Sequence, residues 1–366
     1  MATLKLILVA GARPNFMKIA PIIRVIQSRY AGKIQGILVH TGQHYDYEMS
    51  QAFFDDLKIR QPDYYLGVGS GSHAVQTAQI MIAFEEVCLK ERPDIVVVVG
   101  DVNSTAACAL VAKKLGIKAA HVEAGLRSYD LTMPEEINRM VTDVLSDFLF
   151  VSERSGIINL KKEGKPDSAI HFVGNVMVDT LYFELARLDM TDPKAQQPTE
   201  PFAVLTLHRP SNVDDEEKLR EIMGALAIIA AELPIHFPVH PRTRQRLEAI
   251  GFLPGMENIH LLPPLPYQAF LRLWKDASLV LTDSGGLQEE TTALGIPCLT
   301  LRENTERPIT IEEGTNMLAG TSASTILTAY ESFKTSGGKK GRIPELWDGK
   351  AAERIVTVLA EHYAIR

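Results

Sequence analysis

The stretch Leu279-Val280-Leu281-Thr282-Asp283-Ser284-Gly285-Gly286-Leu287-Gln288-Glu289-Glu290 passes from an apolar strand through two glycines into a helix. Because the glycines allow a tight turn, the free N–H groups of the first helical turn converge on one spot. Such a spot suits a phosphate, so Ser284, Gly285 and Gly286 are the predicted ligands. Glu290, about one turn inside the helix, is placed to bind a sugar hydroxyl of a nucleotide. The alternative is a plain strand-to-helix turn, for which one glycine usually suffices.

Apolar runs of the same kind recur along the chain and alternate with helical patterns. Continuous apolar strands are buried on both faces, which is typical of a parallel sheet with helices on either side. The first series is Leu6–Val9, Gly36–His40, Ile95–Val99, Ala119–Val122, Phe148–Val151 and Ile170–Val173. The second series is Phe202–Leu207, Ile235–Val239, Ile259–Leu262, Leu279–Leu281 and Pro297–Leu301.

Two doubly wound α/β domains of the Rossmann-like type explain this alternation most simply. The polar, proline-containing segment Asp189–Pro201 is predicted as a linker. We assign residues 1–180 to an N-terminal domain and residues 181–350 to a C-terminal domain. Ligands of such sheets bind outside the carboxyl ends of the strands. The motifs that follow the strands are therefore expected to face one central cleft.

Composition excludes several classes of function. At 366 residues and 46% apolar content, the chain is long enough for two cores. A net charge of −7 argues against a nucleic-acid partner. The three cysteines have no paired spacing and the histidines no metal-ligand spacing, so we expect a reducing, cytoplasmic setting and no metal site. No apolar run approaches the length of a signal peptide or membrane span, so no membrane partner is expected.

Two cations follow the first strand, in Gly11-Ala12-Arg13-Pro14-Asn15-Phe16-Met17-Lys18. The dinucleotide fingerprint G-x-G-x-x-G is absent there. Arg13 in the loop and Lys18 in the first turns of a helix would instead suit a diphosphate. The alternative is a solvated arginine and a lysine on the helix surface.

Three acidic residues follow strands of the first domain: Asp101 after Gly100, Glu123 before Ala124, and Glu135 after Pro134. Carboxylates crowded together raise each other's pKa, which produces a poised acid/base set. Glu135 and Arg139 share a helix face at i, i+4, whereas Glu136 is expected to face solvent or cap the helix. The alternative is that such acids only cap helices or form turns.

His208 follows the first strand of the second domain, in His208-Arg209-Pro210-Ser211-Asn212. Its imidazole is placed to meet a phosphate. Arg307, in Thr305-Glu306-Arg307-Pro308 after the last strand of that series, offers a further cation. Each of these segments could alternatively be an ordinary surface loop.

These motifs together resemble the non-hydrolysing UDP-N-acetylglucosamine 2-epimerases, and they span nearly the whole chain in the order of that family. The strings His121-Val122-Glu123-Ala124-Gly125-Leu126-Arg127 and Asp283-Ser284-Gly285-Gly286-Leu287-Gln288-Glu289-Glu290 are specific when they occur together. The resemblance also includes Gly11-Ala12-Arg13-Pro14, Gly100-Asp101, Pro134-Glu135-Glu136-Ile137-Asn138-Arg139, Gly174-Asn175-Val176-Met177-Val178-Asp179, Leu207-His208-Arg209 and Glu306-Arg307-Pro308.

The resemblance implies a glycosyltransferase-B-like fold, C2 epimerisation through a 2-acetamidoglucal intermediate, no external cofactor and a homodimer. It also implies that the last helix, residues 351–366, returns to the N-terminal domain. The implied catalytic residues are Asp101, Glu123, Glu135 and His208. The implied ligands of the substrate and UDP are Arg13, Lys18, Arg139, His208, Ser284, Gly285, Gly286, Glu290 and Arg307.

Two departures from the family pattern bear on regulation and on the sugar. Gln43-His44-Tyr45-Asp46 and His208-Arg209-Pro210 each lack an arginine that regulated relatives carry. Because an arginine–phosphate contact is charge-assisted, we expect no activation by a second substrate molecule. A related UDP-6-deoxy-acetamido sugar as substrate, a UDP-sugar glycosyltransferase and a non-catalytic UDP-sugar sensor remain alternatives.

Overall fold

The computed structural model describes residues 3–42, 54–55, 57–191, 200–252 and 258–365. The segment Gln43-His44-Tyr45-Asp46 and most of the predicted linker lie outside these residues. The chain divides into two compact units. The first consists of Met1–Thr180 with Glu345–Arg366, and the second is Leu181–Pro344.

A seven-stranded parallel sheet forms the centre of the first unit. Its strands are β1 (Leu4–Ala10), β2 (Ile34–His40), β3 (Tyr64–Tyr65), β4 (Ile95–Val99), β5 (Lys118–Val122), β6 (Phe148–Val151) and β7 (Ile170–Phe172). The spatial order is β3-β2-β1-β4-β5-β6-β7. Successive strands are therefore added toward one edge of the sheet up to β3 and toward the other edge from β4 onward, and this order reverses between β1 and β4. In sheets of this type the reversal point is where ligands bind.

Helices flank this sheet and connect its strands. They are Arg13–Arg29, His73–Glu91, Asn103–Lys114, Pro134–Leu145, Arg154–Lys162 and Ala351–His362, with a 3-10 turn at Asp167–Ala169. Pro134 at the first helical position and two acids in the first turn explain why the helix Pro134–Leu145 begins there. The C-terminal helix Ala351–His362 packs against Arg13–Arg29 within this unit. The carboxylate of Asp179 accepts hydrogen bonds from the N–H groups of Ala351 and Ala352 at its start.

The second unit has a six-stranded parallel sheet. Its strands are β8 (Ala203–Thr206), β9 (Ile235–Pro238), β10 (Ile259–Leu262), β11 (Leu279–Thr282), β12 (Cys298–Thr300) and β13 (Asn316–Leu318). The order β10-β9-β8-β11-β12-β13 reverses between β8 and β11. The helices are Pro210–Val213, Glu216–Ala230, Pro241–Ala249, Tyr267–Trp274, Gly285–Leu294, Pro308–Glu312 and Ala323–Ser336, and the helix Val176–Thr191 contains the boundary between the units.

The predicted α/β class with two parallel sheets is confirmed. Apolar side chains of the central strands are completely buried, as the continuous apolar runs indicate. Every strand end that carries a candidate residue lies at or next to a reversal point. The ends of β1, β4 and β5 are neighbours in the first sheet, and those of β8 and β11 are neighbours in the second.

Candidate active site

Lys18 and Glu123 form a buried ion pair in the first unit. Lys18 Nζ lies 2.5 Å from Glu123 Oε2, and the two residues are 7% and 4% exposed. Lys18 points inward from the helix that follows β1, so the alternative of a lysine on the helix surface is wrong. Glu123 comes directly after β5 and has a φ of +72°. A residue with a side chain is strained in this region, and such strain concentrates at functional sites.

Asn15 joins the turn after β1 to the end of β4. Its Oδ1 accepts a hydrogen bond of 2.9 Å from the Ala12 N–H, and its Nδ2 donates to the Val99 carbonyl at 3.0 Å. Gly100 follows with a φ of +67°. A Cβ on Gly100 would lie 3.1 Å from Lys18 Nζ. Gly100 thus brings the backbone before Asp101 close to the ion pair, and only glycine fits there without displacing a neighbour.

Asp101 is bound by Arg139, which is buried on the helix Pro134–Leu145. Arg139 Nη2 lies 2.5 Å from Asp101 Oδ2, and its Nη1 binds Glu136. The side chain of Asp101 remains 24% exposed, so it is accessible as well as paired. The side-chain amide of Asn138, on the same helix, donates to the Asp101 carbonyl at 3.0 Å. This helix therefore holds both the side chain and the backbone of Asp101.

The prediction that Glu136 faces solvent or caps its helix is wrong. Glu136 is 1% exposed, and its two carboxylate oxygens accept 3.0 Å hydrogen bonds from the N–H groups of Ser128 and Tyr129. Arg139 accordingly pairs with Glu136 and Asp101. Glu135 is exposed on the same helix. We call Lys18, Asp101, Glu123 and Arg139 the acid cluster, and Glu135 remains a predicted addition to it.

His208 and Asp283 come together in the second unit, after the adjacent strands β8 and β11. Asp283 Oδ2 accepts hydrogen bonds from the N–H groups of His208 at 3.0 Å and Arg209 at 2.8 Å. His208 Nδ1 lies 3.0 Å from Asp283 Oδ1, and the imidazole is 52% exposed. Burial raises the pKa of Asp283, but the hydrogen bonds and charge of His208 outweigh it, and the pKa is lowered. An ionised buried carboxylate therefore orients an exposed imidazole.

Ser284, Gly285 and Gly286 form a short turn into the helix Gly285–Leu294, which we call the anion loop. Ser284 is the N-cap residue, and no side chain caps the helix. All three residues are partly exposed. The first N–H groups of the helix are therefore available to an external acceptor, and the helix dipole favours a negative one.

Glu290 lies 4% exposed in the helix of the anion loop. Burial raises its pKa to about 7, although the Tyr267 hydroxyl donates a 2.6 Å hydrogen bond to Oε1. Arg307 is a neighbour on the β12 side of the unit, where its Nε lies 2.8 Å from Glu289 Oε1. Arg13, at the start of the first helix of the other unit, is exposed.

Sequence reasoning missed three residues that support these sites: Asn15, Asp283 and Tyr267. The position of Asp283 in the sequence could have identified it, because it directly follows β11. His208 likewise follows β8, with one residue between them. The register pairs Thr282 with Thr206 and so brings the two segments together. No local signal identifies Asn15 or Tyr267, because each acts on a residue of another element.

Within the described ranges, no group of three or more His, Cys, Asp or Glu residues could hold a metal ion. Among the helices of those ranges, none is long and apolar enough to cross a membrane. All three cysteines are free and buried.

Proteins similar to this chain are known over nearly its whole length. The family model described as UDP-N-acetylglucosamine 2-epimerase matches residues 27–360. The UDP-N-acetylglucosamine 2-epimerase of Methanococcus maripaludis is 41% identical over 365 residues, covering 97% of this chain and 98% of that protein. A Pseudomonas aeruginosa UDP-2,3-diacetamido-2,3-dideoxy-D-glucuronate 2-epimerase is 40% identical, covering 98% of this chain and 100% of that protein.

The crystal structure of Methanocaldococcus jannaschii UDP-GlcNAc 2-epimerase in complex with UDP-GlcNAc and UDP superposes with a TM-score of 0.86 at 41% identity. The match covers 98% of this chain and 100% of that one. This similarity confirms the glycosyltransferase-B-like fold class. Both the sequence and the fold are shared over nearly the full length, and the chain therefore belongs to the UDP-N-acetylglucosamine 2-epimerase family.

Proposed function

We propose that this chain interconverts UDP-N-acetylglucosamine and UDP-N-acetylmannosamine by inverting C2, as a non-hydrolysing isomerase. Besides family membership, one observation carries the proposal. Two carboxylates, Asp101 and Glu123, lie at adjacent strand ends, and each is held by a buried cation. Carboxylates fixed in this way beside a glycine-lined backbone suit proton transfer at a defined carbon.

The chemistry explains why acids and anion ligands are both needed. The C2 proton is not adjacent to a ketone, so its direct removal is slow. Cleavage of the anomeric C–O bond first creates an oxocarbenium-like centre that acidifies this proton, and UDP leaves behind a 2-acetamidoglucal. A proton then returns to the other face of C2 and UDP adds again. The reaction is balanced without an external oxidant or cofactor.

Two sets of residues serve the two parts of this reaction. We assign proton transfer at C2 to Asp101, Glu123 and Glu135. We assign stabilisation of the departing diphosphate to His208 and the anion loop, with Arg13 as a further cation. Preorganised donors of this kind usually make the largest contribution to catalysis.

Two of the remaining predicted ligands belong to the same proposal. We assign the ribose hydroxyls to Glu290 and a phosphate contact to Arg307. Lys18 and Arg139 each pair with a carboxylate of the acid cluster, so we propose that they also orient those acids toward the sugar.

A deuterium-exchange experiment tests the reaction. The protein is incubated with UDP-N-acetylglucosamine in D₂O, and the C2 position is followed by proton NMR, with Glu123→Gln as the control. We expect UDP-N-acetylmannosamine to appear, with deuterium at C2 in the epimer and no effect of added NAD. Release of free N-acetylmannosamine, or a C2 proton retained through turnover, would contradict the proposal.

A second substrate deserves the same assay, because the 40% identical relative from Pseudomonas aeruginosa is named for a diacetamido glucuronate. A 2-epimerase of that sugar would need the same acid cluster, since the reaction at C2 is the same. The ratio of kcat/KM for the two UDP-sugars decides between them. A higher value for the glucuronate would replace the first assignment but keep the mechanism.

We also propose a homodimer formed through the helices of the first unit. Two helices that both pack against Asn103–Lys114 expose apolar stripes at helical spacing. On His73–Glu91 the stripe is Val75, Ile82 and Leu89, and on Pro134–Leu145 it is Ile137, Met140, Val141 and Val144. Exposed apolar patches of this extent are typical of an interaction surface, and a closed two-fold interface buries the same patch on both copies.

Sedimentation equilibrium tests this assembly. We expect the wild type to have the mass of two chains and the double variant Ile82→Glu/Val144→Glu that of one. The matched control is Ile228→Glu, an isolated exposed isoleucine of the second unit, 57% exposed, that should leave the dimer intact. A wild type with the mass of one chain would refute the dimer.

We place the reaction in the cytoplasm, because three free buried thiols suit a reducing compartment. Cell fractionation with an antibody to the chain tests this placement, and recovery outside the cytoplasmic fraction would contradict it.

A further inference from the structure

Two completely buried residues, His121 and Asp143, centre a hydrogen-bond network in the first unit, and none of its side chains contributes to the chemistry proposed above. His121, in β5, and Asp143, in the helix Pro134–Leu145, are both 0% exposed. His121 Nδ1 lies 2.6 Å from Asp143 Oδ1, and Nε2 lies 2.8 Å from the Gly100 carbonyl. Each ring nitrogen of His121 therefore faces an acceptor, a carboxylate on one side and a backbone carbonyl on the other.

The second oxygen of Asp143 binds the turn that follows β5. Oδ2 accepts a 3.0 Å hydrogen bond from the Gly125 N–H and lies 2.7 Å from Arg127 Nη2. Arg127 also pairs with Glu163. Burial raises the pKa of Asp143, but the charges and hydrogen bonds of His121 and Arg127 outweigh it, and the pKa is lowered. Asp143 is therefore a buried anion that His121 and Arg127 stabilise.

This network contacts all three segments that carry the candidate acids. Through His121 it holds the Gly100 carbonyl, directly before Asp101. Through the Gly125 N–H it holds the turn that contains Glu123. The helix of Asp143 itself carries Glu135 and Arg139.

The turn after β5 requires such support, because Glu123 carries a side chain in the left-handed region, where only glycine is free of strain. Gly100, Glu123 and Gly125 have φ values of +67°, +72° and +80°. Strained turns persist only where surrounding contacts determine them. A displacement of about 1 Å at a reacting group can lower the rate by roughly 10²-fold.

We propose that Asp143, acting through His121 and Gly125, is the positioning residue that sets the spacing of Asp101 and Glu123. The inference rests on the proposed epimerase function. It predicts that loss of Asp143 lowers turnover without weakening the binding of UDP, since most of the predicted UDP ligands, His208, Ser284–Gly286, Glu290 and Arg307, belong to the other unit.

The test compares Asp143→Asn with Asp147→Asn. Asp147 is a matched control because it too links the end of this helix to β5. It accepts a 2.9 Å hydrogen bond from the Ala119 N–H and lies 2.9 Å from Lys113 Nζ, but at the opposite end of the strand from the acids. For Asp143→Asn we expect kcat to fall by about 10- to 100-fold, with KM and the UDP Kd within about twofold of wild type. For Asp147→Asn we expect kcat unchanged.

Measurements are made at a temperature where circular dichroism shows each variant to be folded. Equal kcat values for the two variants would overturn the proposal, and so would a UDP Kd that weakens in parallel with kcat. If Asp143→Asn does not fold, His121→Asn replaces it, since the shorter side chain cannot donate to Gly100 and Asp143 together; the same pattern is expected. Wild-type epimerisation in D₂O supports the proposed function whatever the variants do, whereas an inactive wild type overturns both inferences.

Discussion

Gly100→Ala is the substitution that most directly tests the geometry of the acid cluster. Gly100 has a φ of +67°, and a Cβ there would lie 3.1 Å from Lys18 Nζ, 3.4 Å from Asn15 Nδ2 and 3.9 Å from Glu123 Oε2. Two costs follow. The left-handed backbone costs about 1–2 kcal/mol for a residue with a Cβ. The new methyl group also displaces Lys18 by a few tenths of an ångström. This is roughly the difference between the 3.1 Å from the Cβ to Lys18 Nζ and a normal van der Waals contact distance.

Gly116→Ala is the matched control, because it separates these two costs. Gly116 also lies in the first unit and has a φ of +73°, but a Cβ there would have nothing within 4 Å. Gly116→Ala should therefore show the backbone cost alone, a loss in Tm of about 2–8 °C, with kcat unchanged.

Gly100→Ala should lose at least as much in Tm and should in addition lower kcat by about tenfold, because Lys18 and with it Glu123 are displaced. Differential scanning calorimetry and initial rates from UDP-N-acetylglucosamine measure the two effects. Equal kcat values for the two variants would refute the reasoning that Gly100 is required by its distance to the ion pair.

Three further predictions concern individual side chains. Asp101→Asn, Glu123→Gln and Glu135→Gln should each lower turnover by on the order of 10²-fold while UDP still binds, and near wild-type rates in all three would exclude them as acids or bases. Asp283→Asn should weaken UDP binding by about tenfold or more in calorimetric titration, because the imidazole of His208 loses the carboxylate that orients it; an unchanged Kd would contradict this role. UDP affinity should rise between pH 6 and pH 8, by at most about tenfold per pH unit. The reason is that Glu290, with its pKa raised to about 7, ionises over that range, and a carboxylate accepts hydroxyl donors better than a carboxyl group does. Because UDP itself titrates, Glu290→Gln is the control: an identical pH dependence in that variant would show that Glu290 is not responsible.

The secondary structure of the central strands was predictable because it depends on contiguous residues. Leu279–Thr282 is a strand, and the helix after it begins at Gly285, next to the two glycines that indicated the turn. The edge strands Tyr64–Tyr65 and Asn316–Leu318 were not predicted. At two or three residues they carry too little pattern, and only pairing with a neighbouring strand makes them strands.

The orientation of the adjacent acids Glu135 and Glu136 was not predictable in the same way. Neighbouring residues on a helix point about 100° apart, so which of them is buried depends on the rotation of the helix against its neighbours. Packing turns Glu136 inward, where it meets Arg139 and the N–H groups of Ser128 and Tyr129. Helical spacing alone favoured a pair between Glu135 and Arg139.

The sequence by itself determined that this chain is an α/β protein and which chemical groups follow its strands. Apolar runs, glycine turns and residues at strand ends are properties of neighbouring positions, so they can be read without the fold. Only the tertiary structure decided the partners. Lys18 meets Glu123 across 105 positions, and Asp283 meets His208 across 75. Such pairs depend on the order of strands in the sheet, which places β4 between β1 and β5 in the first unit and β8 beside β11 in the second. That order follows from how helices and strands pack to bury their apolar faces, and no local stretch of residues encodes it.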